Sequence, residues 1–484
     1  MDTNEHISRL REILSKPDKN ESWYRDFSSL LKELYEKGSE EDRELWFSYC
    51  KQHAEVLQQP LKTLSSLEDL KEWCQICPFG QFALYIDHEE LDDAQIKAIA
   101  SSQHALQLNK LVLLGDFTDE ATKAIAHSPY MKNLQFLELT GEVLSNESVK
   151  AIANSNYLSE LRSLGLVEGD IDNEGCEMIA KSKHFVHLQE LNLGSNRIDN
   201  EGCKKLANSK NLVHLHSLHL GENEISAEGC EAIARSKTIQ QLQALTLSHN
   251  PIGDEGCKAL SQSKNLVHLR ELFLENTQIQ DEGAKALFHA KLDNLQCLII
   301  SYNKIGLEGC KALSTSKSLS NLTDLYLHSN CIAHEGFKYL LDAKGLTNLR
   351  KLELSFNKIG DEGCEHLINI ESIGKLKMLG LSKNNIGERG CRALANAPAL
   401  STLQGLMLTG QPIPKAGYME LVSSITLPKS IRLKHLRRLK EIDFQEELLR
   451  YDIQADGSNS KEELLEQIWS IKQVRENNSK NSAG

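Results

Sequence analysis

Among the 484 residues there is no run of about 18 uninterrupted apolar side chains, so no segment is expected to span a membrane. The opening Met1-Asp2-Thr3-Asn4-Glu5-His6 is polar and acidic, with no apolar h-region, so no Sec signal is expected. Positive charge is in deficit, with Lys+Arg 55 against Asp+Glu 68 and a net charge of −13. A chain this acidic has no general affinity for nucleic acid or anionic lipid, which leaves only a local basic patch to consider. Proline is scarce (9) and glycine ordinary (29), and 40% of residues are hydrophobic, which excludes wholesale disorder and a collagen-like architecture. No G-x-S-x-G, H-E-x-x-H, Walker A or dinucleotide fingerprint occurs, so no catalytic residue, metal or cofactor is expected. The expected setting is cytoplasmic, the alternative being an effector secreted without a Sec signal.

What the sequence has instead is periodicity. An L-x-x-L-x-L core recurs from Leu108-Leu111-Leu113 to Leu403-Leu406-Leu408, its central leucines stepping by 27 residues, or by 26 at Leu111→Leu137 and Leu272→Leu298. A degenerate unit precedes the series, since Leu84 and Ile86 stand 27 residues before Leu111 and Leu113. In each unit the L-x-L end alternates as a strand does. An asparagine follows at one position (Asn196, Asn223, Asn250, Asn303, Asn330, Asn357, Asn384), where stacked amides can satisfy the backbone leaving each strand. Thr277 stands in its place in one unit, and Glu142, Gly169 and Gln411 do so near the ends. The second half of each unit reads as a helix, with Asp254, Asp281 and Asp361, or Asp199 and Ser226 one place earlier, as candidate caps. Seven of the twelve cysteines (Cys176, Cys203, Cys230, Cys257, Cys310, Cys364, Cys391) share one helical position. Side-by-side helices about 10 Å apart cannot bridge them, so they read as buried thiols in a reducing compartment.

A lone unit cannot bury both its strand leucines and its helix face, so the units must stack. The expected fold is an α/β solenoid, a horseshoe of about twelve repeats of about 27 residues, with a parallel sheet on the concave side and helices on the convex side. The pattern resembles the leucine-rich repeat family, specifically its ribonuclease-inhibitor-like class, over about residues 79–424. That resemblance implies the fold and is nearly silent on function.

All four tryptophans (Trp23, Trp46, Trp73, Trp469) lie outside the repeats, so the flanks read as separate small cores. Residues 1–78 are expected to form a helical N-terminal domain, as a cap or a docking module. Its lone Cys74-Gln75-Ile76-Cys77 lacks a second pair for metal. Residues 425–474 are expected to form a helical C-terminal flank, and the polar residues 475–484 a disordered tail. The stretch 429–440 carries six cationic residues in twelve, and it can either touch phosphates or pack its apolar face on the last repeat. Residues 446–468 resemble the SAP helix–loop–helix, with a loop that departs from its glycine-to-lysine spacing.

Strand residues between the last two leucines of each motif should face the concavity, beginning with Val112. Among them are His219, Phe273, Ile299, Tyr326 and Glu353, and two residues past the last leucine stand His249, Tyr302 and Phe356. Phe273, Ile299, Tyr302, Tyr326 and Phe356 thus form an apolar and aromatic patch, bordered by Glu271, Asp324, Lys351 and Glu353. His219 and His249 could be neighbours, but they have no third ligand for a metal. The expected function is a non-catalytic scaffold that binds a protein in its concave face. A second possibility is a regulator resembling Ran GTPase-activating proteins, for which Arg162 and Arg197 are the available arginines. A third is a bacterial effector directed at a host protein.

Overall fold

The structure is a computed structural model that describes residues 63–76, 82–87, 91–370, 375–436 and 460–482, together with Ser29, Ile373, Leu448 and Ile453. It divides into two compact units, Met1–Glu224 with Ser236–Leu242, and Ile225–Arg235 with Gln243–Gly484.

In the first unit the strands are β1 (Thr63–Leu64), β2 (Phe82–Asp87), β3 (Leu108–Leu114), β4 (Phe136–Thr140), β5 (Ser163–Val167), β6 (Glu190–Asn192) and β7 (Ser217–His219). Each pairs in parallel with the next, leucine against leucine, as in Leu84↔Leu111, Leu137↔Leu164 and Leu191↔Leu218. The repeat stack therefore includes the degenerate Leu84 unit. It also starts earlier than the leucine pattern does: Thr63–Leu64 pairs with Ala83–Leu84, and a helix follows at Leu67–Ile76. Strand pairing needs only backbone and one apolar side chain facing inward, here Leu64, so no full motif announces it. Val112, expected to face outward, is only 4% exposed between Tyr85 and Glu138 of the adjacent strands.

In the second unit the strands are β8 (Ala244–Thr246), β9 (Glu271–Phe273), β10 (Cys297–Ile299), β11 (Asp324–Tyr326), β12 (Lys351–Glu353), β13 (Met378–Gly380) and β14 (Gly405–Met407). These too run parallel in sequence order. In both units each strand is followed by a helix, so the architecture is the expected leucine-rich-repeat solenoid. The motif leucines and the repeat cysteines fill the interior between strand and helix. Burial pushes the Cys310 and Cys391 thiols up to about 12 and raises Cys230, Cys257 and Cys364 as well, so these groups stay protonated and inert at neutral pH.

Side-chain ladders run from repeat to repeat. Asn223 Nδ2 donates to Leu193 O of the previous repeat (3.0 Å) and to Leu220 O of its own (3.2 Å), while its Oδ1 accepts from Ile198 N (2.9 Å). Asn303, Asn330, Asn357 and Asn384 repeat this pattern in the second unit, and Gln411 ends the series by accepting from Asn384 N and Ile386 N (both 3.0 Å). A serine column is less visible in the sequence. Ser182, Ser209 and Ser263 each donate to a carbonyl one repeat back, those of Ala153, Ala180 and Ala234.

The helix caps differ from the sequence expectation. Asp199 does cap its own helix Asn200–Ala207, accepting from Glu201 N at 2.7 Å. Asp281 and Asp361 instead sit in the first turn of their own helices and reach the next one. Asp281 Oδ1 accepts from Gly306 N (2.6 Å) and Gly309 N (3.0 Å) at the start of helix Leu307–Thr315, whose own N-cap, Gly306, has no side chain to offer. Asp361 does the same for Gly387 and Gly390 (2.6 and 2.8 Å), and Asp254 accepts from Gln280 N (2.7 Å). Gly390 is required by this approach, because a Cβ there would lie 2.5 Å from Asp361 Oδ1. Asp281→Ala is expected to lower stability by about 1–2 kcal/mol and Asp281→Asn by less than half of that, since the amide keeps an accepting oxygen. Denaturant unfolding of the two variants checks the difference, and equal losses would show that charge rather than the cap is what counts.

At the C-terminus, helix Lys429–Leu436 buries Ile431 and Arg432, and the Arg432 guanidinium lies over the Trp469 ring (4.9 Å) and 3.6 Å from Glu466. Met419 and Val422 of the last repeat helix share one core with Leu448, Ile453, Leu464, Leu465 and Ile468. This flank is therefore continuous with the repeat interior rather than a separate core. The final helix spans Lys461–Ser482 and so includes residues 475–482, expected as a disordered tail; no proline or glycine interrupts the segment before Gly484. The rest of the basic stretch (437–440), most of the N-terminal flank including Cys77, and the SAP-like loop at 457–459 lie outside the described residues. Among the described residues no helix is long and apolar enough to cross a membrane.

Candidate functional site

On a strand, alternate side chains take opposite faces, so burying Leu272, Leu298, Leu325 and Leu352 turns Phe273, Ile299, Tyr326 and Glu353 to the other face. The pairing register sets these four side by side, as Phe273↔Ile299, Ile299↔Tyr326 and Tyr326↔Glu353. Neighbouring strands lie about 4.8 Å apart, so the three apolar side chains form one short row. All three are half-buried. A second row, Glu271, Cys297, Asp324 and Lys351, runs beside the first at the start of the same strands. Ten of the eleven residues named from the sequence lie in the second unit. His219 ends β7 in the first, its Nε2 2.7 Å from Ser217 Oγ.

Two rings are more exposed than the row. Tyr302 is 52% exposed and Phe356 47%. Both hold a left-handed backbone, with φ +53 and +59. The whole column shares it: His249, Asn276, Ser329, Lys383 and Gly410 have φ between +52 and +65. Glycine and asparagine take this conformation easily, whereas an aromatic residue does so at a cost of about 1–2 kcal/mol. Tyr302→Gly is therefore expected to leave the melting temperature unchanged or raise it. A clear fall in thermal denaturation would show that the ring holds the fold together.

Lysines and a histidine order the rings. Lys351 Nζ lies 4.7 Å from the Tyr326 ring centroid, and Lys383 Nζ the same distance from that of Phe356. The Lys351 ammonium is held above its usual range by its hydrogen bond with Tyr326, which outweighs partial burial, and by the Asp324 and Glu353 charges. Glu353 accepts from Ser355 N (3.0 Å), and its carboxylate lies over Gly380, where any side chain would collide with it. The Tyr302 ring meets His328 edge-on at 4.9 Å, and His328 Nδ1 lies 2.7 Å from Ser301 Oγ and its Nε2 3.8 Å from Glu275 Oε1. Sequence reasoning missed His328, Glu275 and Lys383. The signal for the first two was their shared place one residue past the last leucine of the motif. His249 is exposed, with its Nδ1 3.1 Å from Asn276 Nδ2.

Among the described residues no group of three or more His, Cys, Asp or Glu side chains is placed to hold a metal ion. In the first unit Arg197 is paired with Asp170 at 2.9 Å, and Arg162 lines a shallow 250 Å³ pocket with Glu160, His187, Gln189 and His214.

The Leucine Rich repeat family matches residues 186–207, 211–234, 240–261, 265–288, 292–314 and 345–367. Comparison with curated proteins yields no match. Among solved structures, an internalin (inlF) of Listeria monocytogenes is 21% identical, with 68% of this chain and 92% of that chain covered and a TM-score of 0.43. TLR13 in its complex with ssRNA13 is 19% identical, with 70% and 48% covered and a TM-score of 0.42.

Proposed function

The chain is a leucine-rich repeat protein, and from that premise we propose that it is a non-catalytic scaffold that binds a partner protein on the strand face of β9–β12. One observation supports the reading: Phe273, Ile299 and Tyr326 stand side by side in register on the face opposite the leucines, and Tyr302 and Phe356 are exposed just past β10 and β12 on left-handed backbone. Half-buried rings with charged neighbours are what a binding hot spot consists of, because they release ordered water at little conformational cost. The pairing of Lys351 and Lys383 with two of the rings supports the same reading, since it orders them before a partner arrives. We place its work in a reducing, cytoplasmic compartment, which suits the free cysteines found among the described residues.

A protein partner is favoured over nucleic acid because two of the three described lysines and arginines of the basic stretch are engaged within the chain: Arg432 is buried on Trp469, and Lys429 lies 3.5 Å from Glu466, which leaves Lys434 exposed. The test is affinity capture with the full chain and with Phe273→Ala/Tyr326→Ala. Loss of a specifically retained protein supports the proposal, and equal retention overturns it.

A further inference from the structure

Resting on that reading, we infer the chemistry of the partner: a basic segment that lays an arginine side chain on Phe273. Two of the rings on this face already carry a cation from the protein itself, Tyr326 from Lys351 and Phe356 from Lys383, each at 4.7 Å. Among the described residues no lysine or arginine of the chain lies over Phe273. What flanks it instead is negative charge. Glu271 and Phe273 stand two residues apart on β9, so their side chains take the same face, with the Glu271 carboxylate about 6–7 Å along the strand from the ring. Glu275 follows in the turn just past the strand, with its carboxylate toward His328. Asp324 lies two strands away in the Glu271 row, across Cys297.

Glu271 is exposed, and among the described residues its side chain has neither an ion pair nor a hydrogen bond. Glu275 faces only His328, at 3.8 Å, a pairing that counts as ionic only when the imidazole is protonated. A ring with an unpaired carboxylate beside it on the strand and a second acid in the turn that follows fits a planar cation better than it fits any other group. The guanidinium stacks on the π face while its edge N–H groups are free to donate to Glu271 and, past the strand end, to Glu275. An acidic or purely apolar partner would leave these carboxylates desolvated and unpaired, which works against it. The lysines over Tyr326 and Phe356 show the same ring-and-cation arrangement completed within the chain. At Phe273 the cation has to come from outside.

The test uses the full chain and a fluorescein-labelled peptide in which arginine alternates with leucine, read by fluorescence anisotropy at low and high salt. The expected result is saturable binding that weakens at high salt, and that falls about tenfold or more in Glu271→Gln/Glu275→Gln. The matched helix-side pair Glu255→Gln/Glu308→Gln should bind as the unaltered chain does, and a glutamate-for-arginine peptide should not bind. Equal losses in both pairs would reduce the effect to the diffuse charge of an acidic protein and overturn the inference. Captured partner provides the second readout. Retention by Glu271→Gln/Glu275→Gln with loss in Phe273→Ala/Tyr326→Ala would sink the basic-segment inference alone, whereas retention by both would sink the binding face itself.

Discussion

Asn303→Ala is expected to destabilise the protein by on the order of 3–5 kcal/mol, a large loss for a single side chain. Asn303 Nδ2 donates to Leu274 O (2.9 Å), Ile300 O (3.1 Å) and Ser301 O (3.0 Å), and its Oδ1 accepts from Ile279 N (2.9 Å) and Thr277 N (3.1 Å). All these groups are buried, so alanine would leave two backbone donors and several carbonyls without water or protein partners. Asn384 likewise accepts from two amides, Asn357 N (2.8 Å) and Ile359 N (3.2 Å), whereas the neighbour of Asn303 is Thr277, whose Oγ1 bonds to Leu274 O of its own repeat (2.8 Å). Ile252 N, which an asparagine at 277 would serve, turns back to Asn250 O at 2.8 Å. Thr277→Asn is therefore expected to shift stability the opposite way, upward by about 0.5–1 kcal/mol. Urea unfolding followed by far-ultraviolet circular dichroism reads both. An Asn303→Ala loss under about 1 kcal/mol would show that the ladder is ornamental.

The second large effect is on binding. Phe273→Ala with Tyr326→Ala is expected to weaken partner affinity by about a hundredfold or more, near 3 kcal/mol, as the removal of two central aromatic anchors does elsewhere. The same variant should unfold within a few degrees of the unaltered chain, because both rings face away from the leucine interior and neither fills a cavity. Isothermal titration beside a thermal melt separates the two quantities. Affinity within threefold would rule the row out, and a collapse of the melt would recast the rings as structural.

How much of this was legible in the sequence follows from how far each residue must reach. The leucine register was readable because every repeat states it locally, and so was the asparagine position, whose amide serves a turn present in each unit. Asp281 and Asp361 misled, because an aspartate before a helix suggests a cap on that helix, while the amides they meet belong to the next repeat. The left-handed column was hidden for a different reason. Asn276 and Gly410 advertise it, but Tyr302 and Phe356 at the same position argue locally against positive φ, and only the fold overrides that preference. The patch itself was readable as alternation plus period. Its charge pattern was not, because His328 meets Tyr302 and Glu275 only after three repeats are laid in register. The strand at Thr63–Leu64 leaves no motif because its pairing is made by backbone, with Leu64 as its one inward apolar side chain.

The reach of Asp254, Asp281 and Asp361 into the following helix also constrains how such a chain can change length. Each module completes its successor, so duplication or excision of a whole module hands every carboxylate a fresh set of amides, whereas a fractional cut strands both. In the second unit the single short step, Leu272→Leu298, gives up its residue between helix Asp281–Phe288 and β10, where the serine column also lapses at Ala290. Genetic drift in length is thus confined to the connectors, and everything between them is inherited in integers.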